Sequence, residues 1–140
     1  AAGCFWGPEI KFSKLQGVLS TEVGYCGGNN SKTNYKEVCT GQTNHAEVVK
    51  VEFDSNLITY EEILNYFFEI HDPTTLNQQG YDIGTQYRSE IFYTSENQKK
   101  IAQEVLNNKN KLFNGKIVTN ISEKKNYCRA EDYHQKYLER

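Results

Sequence analysis

The alternation of hydrophobic and polar residues predicts two strands in the first half of the chain. Val18 to Tyr25 contains β-branched residues and leads towards two glycines, while Ala46 to Phe53 alternates Val49, Val51 and Phe53 with charged residues. A period of two residues is typical of a strand with one buried face. We therefore predict strands over both segments, and we expect the second strand to be half-exposed.

Helical spacing of apolar residues follows the short N-terminal segment. Pro8 precedes Ile10, Phe12 and Leu15, and proline is tolerated in the first turn of a helix, where its missing N–H costs little. This pattern predicts a helix that begins close to Pro8. Cys4 would then lie just before the N-terminus of that helix.

Two longer helices and two further strands are predicted in the rest of the chain. Thr59 and Glu62 form a capping-box pattern before an apolar helical face that should end near His71. Ser95 caps a polar helix that continues through Leu112. Short strands are predicted over Ile91 to Tyr93 and Ile117 to Ile121.

This order of elements is typical of the α+β class, here a two-layer fold with helices packed on one face of a mixed sheet. The chain has 140 residues, of which 37% are hydrophobic. A chain of this size can bury one core, so we expect a single domain over residues 1–140. Residues 72–89 have no apolar period, and a long ordered loop inside a compact domain is often functional.

The charge balance argues against a polymeric partner. The chain has 16 basic and 18 acidic residues and a formal net charge of -2, so it presents no basic surface for nucleic acid or an anionic membrane. No apolar run reaches the roughly 20 residues that a membrane-spanning helix needs. We expect a cytoplasmic monomer that binds neither nucleic acid nor membranes.

The four cysteines are irregularly spaced and include no CxxC pair. A chain of this length needs no disulfides for stability, so a reducing compartment fits better than a disulfide framework. The paired-thiolate pattern of a structural zinc site or of a thioredoxin-type redox motif is also missing. We expect no bound metal, and each cysteine has to be considered by itself.

Cys4 is the first candidate for chemistry. It stands in the sequence GCFWG at residues 3–7, between glycines and beside two aromatic residues. A free cysteine among aromatic side chains is often buried and unreactive. A helix N-terminus, however, lowers the pKa of a nearby thiol and raises the thiolate fraction. The position before the predicted helix therefore favours a nucleophile.

Three other regions carry polar groups that suit a site or a surface equally well. Glu47 begins a predicted strand, and most single carboxylates are surface charges. Residues 79–89 could form a well-packed loop of turns. His134 and Tyr137 are three residues apart in a predicted C-terminal helix, where they would share a face.

Seven motifs follow one another along nearly the whole chain. They are GCFWG at residues 3–7, GYCGG at 24–28, NYKEVCTG at 34–41, HAEVV at 45–49, HDP at 71–73, QGYDIGTQYRS at 79–89 and AEDYHQKYL at 130–138. With this ordered set the chain resembles the A-type peptide methionine sulfoxide reductases. GCFWG followed by QYRS is specific to that family, whereas HDP or GYCGG alone would be weak evidence.

The resemblance implies a reaction and the residues that perform it. Cys4 would attack the sulfoxide sulfur, release methionine and become a sulfenic acid. Glu47, Tyr35 and Tyr87 would supply hydrogen bonds and a proton to the sulfoxide oxygen. Burial would raise the pKa of Glu47 enough to keep the carboxyl protonated. The implied role is the repair of oxidised methionine, free or in proteins, after oxidative stress.

The resemblance also implies a substrate pocket and a fold. Phe5 and Trp6 would form an apolar wall around the S-methyl group and select the S epimer. Asp82, His134 and Tyr137 match positions near the family's pocket and would support or position the substrate. The family fold is an α+β two-layer sandwich with a ferredoxin-like core, which agrees with the predicted order of elements.

Recycling of the sulfenic acid is the point at which this chain departs from the family pattern. The family binds no cofactor and uses an external thiol such as thioredoxin or a dithiol, and many members carry resolving cysteines in a Gly-rich C-terminal tail. The given sequence stops at Arg140 without such a tail, so an internal cysteine, thioredoxin acting directly, or a tail missing from this sequence must serve. We expect Cys26 or Cys128 to resolve Cys4, and we expect Cys39, at a usual family position, to be structural.

The N-terminus departs from the family pattern as well. A strand normally leads into GCFWG in this family, and only Ala1 and Ala2 precede Gly3 here. We therefore expect part of that strand to be missing from the given sequence.

Two other interpretations use some of the same residues. A cysteine hydrolase or acyltransferase would pair Cys4 with His134 as its base, but it leaves Glu47 and the tyrosines unexplained. A redox sensor or metal-binding module would use Cys4, Cys39, His45 and Cys128. Neither interpretation accounts for the whole ordered series of motifs.

Overall fold

The computed structural model describes residues 1–139, and in this part of the chain four α-helices alternate with seven strands. The helices are α1 (Trp6–Ser13), α2 (Tyr35–Val38), α3 (Tyr60–Glu69) and α4 (Glu96–Leu112). The strands are β1 (Val18–Cys26), β2 (Ala46–Phe53), β3 (Gln78–Gln79), β4 (Asp82–Ile83), β5 (Glu90–Tyr93), β6 (Asn120–Glu123) and β7 (Cys128–Arg129). Short 3₁₀ turns lie at Thr85–Tyr87, Asp132–His134 and Tyr137–Glu139.

Strand β1 is the centre of a three-stranded antiparallel sheet. It pairs with β2 on one side and with β7 on the other. A second, parallel pair joins β5 to β6, and β3 with β4 forms a small hairpin inside the polar loop 72–89. Helices α3 and α4 pack on one another, and α4 also covers β5 and β6. The predicted α+β class is confirmed.

At the end of the antiparallel sheet where β1 stops and β2 begins, both faces are buried, and they carry different residues. Tyr25 pairs with Glu47 across β1 and β2, and the face that holds this pair packs against Phe5 and Val38. Because side chains alternate along a strand, the neighbouring Cys26 points to the opposite face, where it packs with alanine and valine side chains of β2. The two faces therefore belong to different environments.

Most of the predicted elements form where the pattern placed them. The predicted strand over 46–53 coincides with β2, and β1 extends one residue beyond the predicted strand. The Thr59 side chain accepts a hydrogen bond from the Glu62 backbone N–H, and the Glu62 side chain accepts one from the Thr59 backbone N–H, so the capping box of α3 is complete. Ser95 caps α4, which ends at Leu112 as predicted.

The strand predicted over Ile117 to Ile121 is displaced towards the C-terminus. The backbone N–H of Ile117 donates to Asn110 Oδ1 at 3.0 Å, and that of Val118 donates to the carbonyl of Pro73 at 2.8 Å. These partners belong to a helix and a loop, so pairing with β5 begins only at Asn120. The prediction was correct for the apolar segment and wrong for its boundary.

The C-terminal helix predicted to carry His134 and Tyr137 does not form. Two separate 3₁₀ turns replace it, because Lys136 takes the left-handed backbone conformation with φ of 55°. Gln135, between the turns, accepts from the backbone N–H of Val23 and donates to the Val23 carbonyl, both at 2.9 Å. The segment is thus held as irregular chain against β1.

A buried carboxylate fastens this segment to α1. Glu9 is 2% exposed, and its carboxylate accepts from the backbone N–H of Lys136 at 2.7 Å, from the Lys136 ammonium at 2.9 Å and from the Thr21 hydroxyl at 2.9 Å. The Glu9 carboxylate therefore joins helix α1, strand β1 and the C-terminal segment. Cys4 lies one turn away, ahead of the same helix.

Removing the cation should destabilise the fold. We expect Lys136→Met to lower the free energy of unfolding by about 1–3 kcal/mol, because a buried carboxylate loses its counter-ion while keeping its hydrogen bonds to Thr21 and the backbone. Urea denaturation measures this change. Lys14→Met, on the exposed end of the same region, is the matched control and should change stability by less than about 0.5 kcal/mol. Equal stability of the two variants would contradict a structural role for the Glu9 and Lys136 pair.

Candidate active site

Cys4 lies where the N-terminal segment turns into α1. Gly3 has φ of 90°, and a Cβ atom there would stand 2.7 Å from the Cβ of Gln79, so the turn requires glycine. Gln79 belongs to the 72–89 loop, and this close packing brings the loop against Gly3 and its neighbour Cys4. The position of Cys4 just before the helix agrees with the prediction.

The expected lowering of the Cys4 pKa is wrong for this resting state. Burial raises the pKa of the Cys4 thiol to about 11; the hydrogen bond from the Trp6 backbone N–H lowers it, and the nearby charge of Glu47 raises it further. The favourable helix terminus is therefore outweighed by loss of solvent. Near pH 7 the Cys4 thiol is therefore neutral.

Glu47 is the buried acid of the site. It is 1% exposed, and its Oε1 accepts from the backbone N–H of Phe5 at 3.1 Å. Burial raises the pKa of Glu47 from 4.5 to about 7, while the Phe5 hydrogen bond lowers it and the charge of Asp82 raises it. Its Oε2 has no hydrogen-bond partner among residues 1–139. A protonated Oε2 can thus donate to a ligand that enters beside Cys4.

Tyr35 and Tyr87 bring two hydroxyl groups to the same place. Tyr35 is the first residue of α2, and Tyr87 ends the 3₁₀ turn that follows the hairpin. The two hydroxyls interact through a hydrogen bond, and burial, followed by the charge of Glu47, raises the pKa of Tyr87 to about 12. Burial and a hydrogen bond with Cys39 raise the pKa of Tyr35. Both phenols are therefore neutral hydrogen-bond donors near pH 7.

Aromatic rings form one wall of the site. Trp6 stacks on Tyr137, with ring centroids 3.9 Å apart, and its indole N–H donates to His134 Nδ1 at 3.0 Å. Phe5 is 1% exposed, and its ring centroid lies 5.2 Å from that of His134. His134 and Tyr137, which were expected to share a helical face, thus both contact Trp6 although they lie in two separate 3₁₀ turns. They hold the indole in one orientation.

Asp82 lies at the rim of the site. It is exposed and belongs to the β3–β4 hairpin. Its charge acts on both Cys4 and Glu47 and raises the pKa of each. This is the position expected for a group near the pocket entrance.

Glu131 is a residue that sequence reasoning missed. Its carboxylate accepts from the Tyr25 hydroxyl at 2.7 Å and from the Tyr35 backbone N–H at 2.9 Å. It therefore ties the first turn of α2 to the central strand and fixes the backbone of Tyr35. The motif AEDYHQKYL contains this residue, but only the fold reveals which hydrogen bonds it accepts.

Glu131→Ala should reduce catalysis through Tyr35 without removing any group that touches substrate. We expect kcat/KM to fall about 10-fold, because small misplacements of a donor are costly in an oriented site, with a stability loss of about 1–3 kcal/mol from the two unsatisfied donors. Glu131→Gln, which can still accept from Tyr35, should recover most of the activity. Steady-state kinetics and thermal unfolding of both variants measure these effects, and equal kcat/KM in Glu131→Ala and the parent would contradict the positioning role.

His45 and Gly28 explain two further motifs in structural terms. His45 Nδ1 accepts from the backbone N–H of Gly28 at 3.0 Å, and Nε2 lies 2.7 Å from the carbonyl of Asn30. A Cβ atom at Gly28 would lie 2.4 Å from the His45 ring. This contact holds the GYCGG and HAEVV segments together just before β2, which begins at Ala46, one residue before Glu47.

The other three cysteines occupy separate places, and two of these places do not suit the expected roles. Cys26 is 1% exposed, lies on the sheet face opposite Glu47 and donates to the carbonyl of Lys125. Cys128 is on edge strand β7, with its sulfur 3.7 Å from the carbonyl of Thr33. Cys39, expected to be structural, is exposed. Burial on the wrong face argues against Cys26 as the resolving thiol, and solvent exposure argues against a structural Cys39.

The geometry disfavours both rival interpretations. Burial lowers the pKa of His134, so its ring is neutral, and its one free lone pair, on Nδ1, accepts the Trp6 indole N–H. It cannot act as a base for Cys4 in this arrangement. His45 uses both ring nitrogens in hydrogen bonds to backbone, and no metal-binding group of three or more side chains occurs within the described residues.

A neutral thiol, a buried acid with a free oxygen, two phenols and an aromatic wall define a cysteine-dependent oxidoreductase site on an α+β fold. The family profile described as peptide methionine sulfoxide reductase matches residues 1–140. A peptide methionine sulfoxide reductase of Pelagibacter ubique is 67% identical over 138 residues, which cover 99% of this chain and 94% of the relative. One of Saccharolobus solfataricus is 49% identical, covering 99% and 78%. The chain belongs to the peptide methionine sulfoxide reductase family, and it is a reductase of methionine sulfoxide.

Solved structures agree with this assignment. The reduced form of Mxr1 from Saccharomyces cerevisiae superposes with a TM-score of 0.95 at 41% identity, covering 99% of this chain and 81% of that protein. Mxr1 in complex with Trx2 gives a TM-score of 0.69 at 28% identity, covering 98% and 80%. Within residues 1–139, no helix is both long enough and apolar enough to cross a membrane.

Proposed function

We propose that this chain reduces the S epimer of methionine sulfoxide, free or in proteins, with Cys4 as the nucleophile and Glu47 as the proton donor. The observation that carries the assignment of roles is the buried Glu47 carboxyl, whose Oε2 has no partner among residues 1–139. A buried polar atom without a partner is costly, and a sulfoxide oxygen beside Cys4 would supply the missing acceptor.

In the proposed first step the Cys4 sulfur attacks the sulfoxide sulfur. The oxygen passes to Cys4, which becomes a sulfenic acid, and the substrate leaves as methionine. A sulfoxide oxygen is a strong acceptor but a poor leaving group, so it needs a proton while the methionine S–O bond breaks. Glu47 supplies that proton, the Cys4 thiol proton replaces it, and the hydroxyls of Tyr35 and Tyr87 hold the oxygen.

The raised pKa of Cys4 fits this order of events. A charge on Glu47 raises the Cys4 pKa, so the thiolate is least disfavoured when Glu47 is protonated. Transfer of the Cys4 proton is then coupled to protonation of the sulfoxide oxygen. A thiol that ionises only with substrate in place is also protected from adventitious oxidants.

The aromatic wall accounts for selectivity in this proposal. Phe5 and Trp6 receive the S-methyl group, while Glu47 and the two tyrosines receive the oxygen. In the other epimer, methyl and oxygen exchange places when the sulfur faces Cys4, so a polar atom would meet the apolar wall. Asp82, His134 and Tyr137 position the groups that touch substrate.

Regeneration uses an external thiol and no bound cofactor, since the cysteine sulfur itself carries the two electrons. The solved complex of the yeast relative Mxr1 with Trx2 supports thioredoxin as that reductant. We further infer that the chain acts as a monomer of one domain in the cytoplasm, where thioredoxin keeps thiols reduced. Its role there is repair of oxidised methionine.

Turnover of the two epimers tests the proposed selectivity and substrate class. Blocked methionine-S-sulfoxide and the R epimer are each incubated with the protein and either dithiothreitol or thioredoxin with its reductase, and methionine is quantified. The S epimer should react at least about 100-fold faster, the order of discrimination reached when a polar atom is forced into an apolar wall. Comparable rates for both epimers would remove the assigned roles of Phe5 and Trp6, and no turnover of either would remove the proposed function.

A further inference from the structure

One nucleophile near the site has no role in the reduction step. Cys39 is the C-terminal cap of α2, and its backbone N–H donates to the carbonyl of Tyr35 at 2.9 Å. Residues four apart lie on the same helical face. Cys39 therefore stands one turn behind Tyr35, whose side chain belongs to the catalytic site.

The packing of its neighbour places Cys39 beside this site, because Val38 is buried in one cluster with Phe5, the residue that follows Cys4. Burial raises the pKa of the Cys39 thiol, and the nearby Tyr35 hydroxyl lowers that pKa. The charge of Cys39 raises the pKa of Cys4, and the charge of Glu47 raises the pKa of Cys39. Cys39 therefore lies near both Cys4 and Glu47. It is also exposed, so an external dithiol can reach it.

The other two thiols are less well placed. Cys26 is buried on the opposite sheet face, with its thiol directed to Lys125. Cys128 pairs with Tyr25, which pairs with Glu47 on its other side, so Cys128 shares the sheet face of Glu47 but stands two strands, about 10 Å, away from it. A disulfide needs Cα atoms within about 7 Å, and the sheet is the rigid part of the fold.

We propose that Cys39 is the resolving thiol of Cys4, a role that rests on the proposed function. The Cys39 sulfur attacks the sulfur of the Cys4 sulfenic acid, a new S–S bond forms, and the S–O bond breaks. The oxygen leaves as water, taking up the proton of the Cys39 thiol. The Cys4–Cys39 disulfide is then reduced to two thiols by an external dithiol, which is itself oxidised to a disulfide.

The local structure allows the approach that this step requires. Helix α2 has only four residues, and its N-terminal cap Asn34 is exposed. The start of α2 is anchored by the Glu131 hydrogen bond to Tyr35 and by Val38 in the core, whereas Cys39 at its end is exposed. A single exposed turn of helix can shift or unwind at low cost. Movement of this turn brings Cys39 to Cys4 while the sheet stays in place.

Thiol counting after one turnover tests the proposal. The reduced protein is mixed with methionine-S-sulfoxide without reductant, methionine is quantified, and free thiols are counted by alkylation and peptide mapping. The parent protein should form about one methionine and lose two thiols, recovered as a linked pair of peptides containing Cys4 and Cys39. Cys39→Ser should lose only one thiol, with Cys4 trapped by dimedone as a sulfenic acid. Its turnover with thioredoxin should fall.

Cys26→Ser and Cys128→Ser are the matched controls, and each should still lose two thiols. A linkage of Cys4 to Cys26 or Cys128 would overturn the proposal, and so would loss of two thiols in Cys39→Ser or of one thiol in the parent protein. These outcomes are read from the thiols, whereas failure to form any methionine would instead sink the proposed function. The two failures are thereby distinguishable.

Discussion

Replacing Cys4 with serine abolishes formation of methionine from methionine-S-sulfoxide. The hydroxyl of serine has nearly the size of the thiol but cannot accept the oxygen as a sulfenic acid, so no covalent step remains. The expected loss is on the order of 10⁴-fold or more, down to the background of the assay. Cys4 is partly buried in a turn of the backbone, and serine fits there without a change of shape.

The measurement is methionine production with dithiothreitol as reductant, because a small dithiol removes any dependence on thioredoxin docking. Cys128→Ser, at an edge strand away from the reacting sulfur, serves as the comparison and should retain methionine production. Thermal unfolding should show that both variants are folded. Residual turnover within 10-fold of the parent in Cys4→Ser would show that another group attacks the sulfoxide.

Replacing Glu47 with glutamine should lower kcat/KM by about 10²–10⁴-fold, the range typical of a lost general acid. Glutamine keeps the hydrogen bond from Phe5 and can still donate to the sulfoxide oxygen, but it cannot give up a proton. In the proposed mechanism the acid form is needed, and burial raises the pKa of Glu47 to about 7. The kcat/KM of the parent should therefore fall as the pH rises above about 7.

Glu47→Gln should increase the stability of the fold even though it lowers activity. The folded state binds the Glu47 proton more tightly than the unfolded state, whose pKa is near 4.5. The protonated Glu47 therefore contributes to the free energy of unfolding at pH values below 4.5. This contribution, on the order of 3 kcal/mol, is lost as the pH rises through about 7. Glutamine has no such loss, so the variant should gain stability relative to the parent between pH 4.5 and 8.

Urea denaturation at several pH values, together with pH profiles of kcat/KM, measures both effects. Glu52→Gln, on the half-exposed end of the same strand, is a suitable control and should change neither profile. A variant that lost activity but followed the parent's stability at every pH would contradict a buried, protonated Glu47. Retained activity would contradict its role as the acid.

Local patterns were enough to predict most of the fold. Strands β1 and β2, helices α3 and α4 and their caps follow from periodicity and from capping residues, because these elements obey short-range rules. The C-terminal turns could not be predicted in this way. Gln135 leaves a helical path to bind the backbone of Val23, a residue more than 100 positions earlier.

The candidate site, too, could be predicted from the sequence only in part. Cys4, Glu47 and the tyrosines were predicted from motifs, yet the high pKa of Cys4 arises from burial that only the folded chain reveals. Glu131 acts through hydrogen bonds that span about a hundred residues. Family positions alone point to Cys26 or Cys128 as the resolving thiol. The observations that favour Cys39, its place one turn after Tyr35 and the burial of Cys26 on the opposite sheet face, come only from the folded chain.

The most direct test of the account asks whether Cys4 is oxidised as methionine appears. The reduced protein is mixed with one equivalent of methionine-S-sulfoxide in the absence of reductant, and samples are quenched with iodoacetamide for peptide mapping. The account predicts that free Cys4 thiol disappears at the rate at which methionine forms, in equal amounts. Methionine formed while Cys4 remains fully alkylated would contradict it, as would no methionine at all.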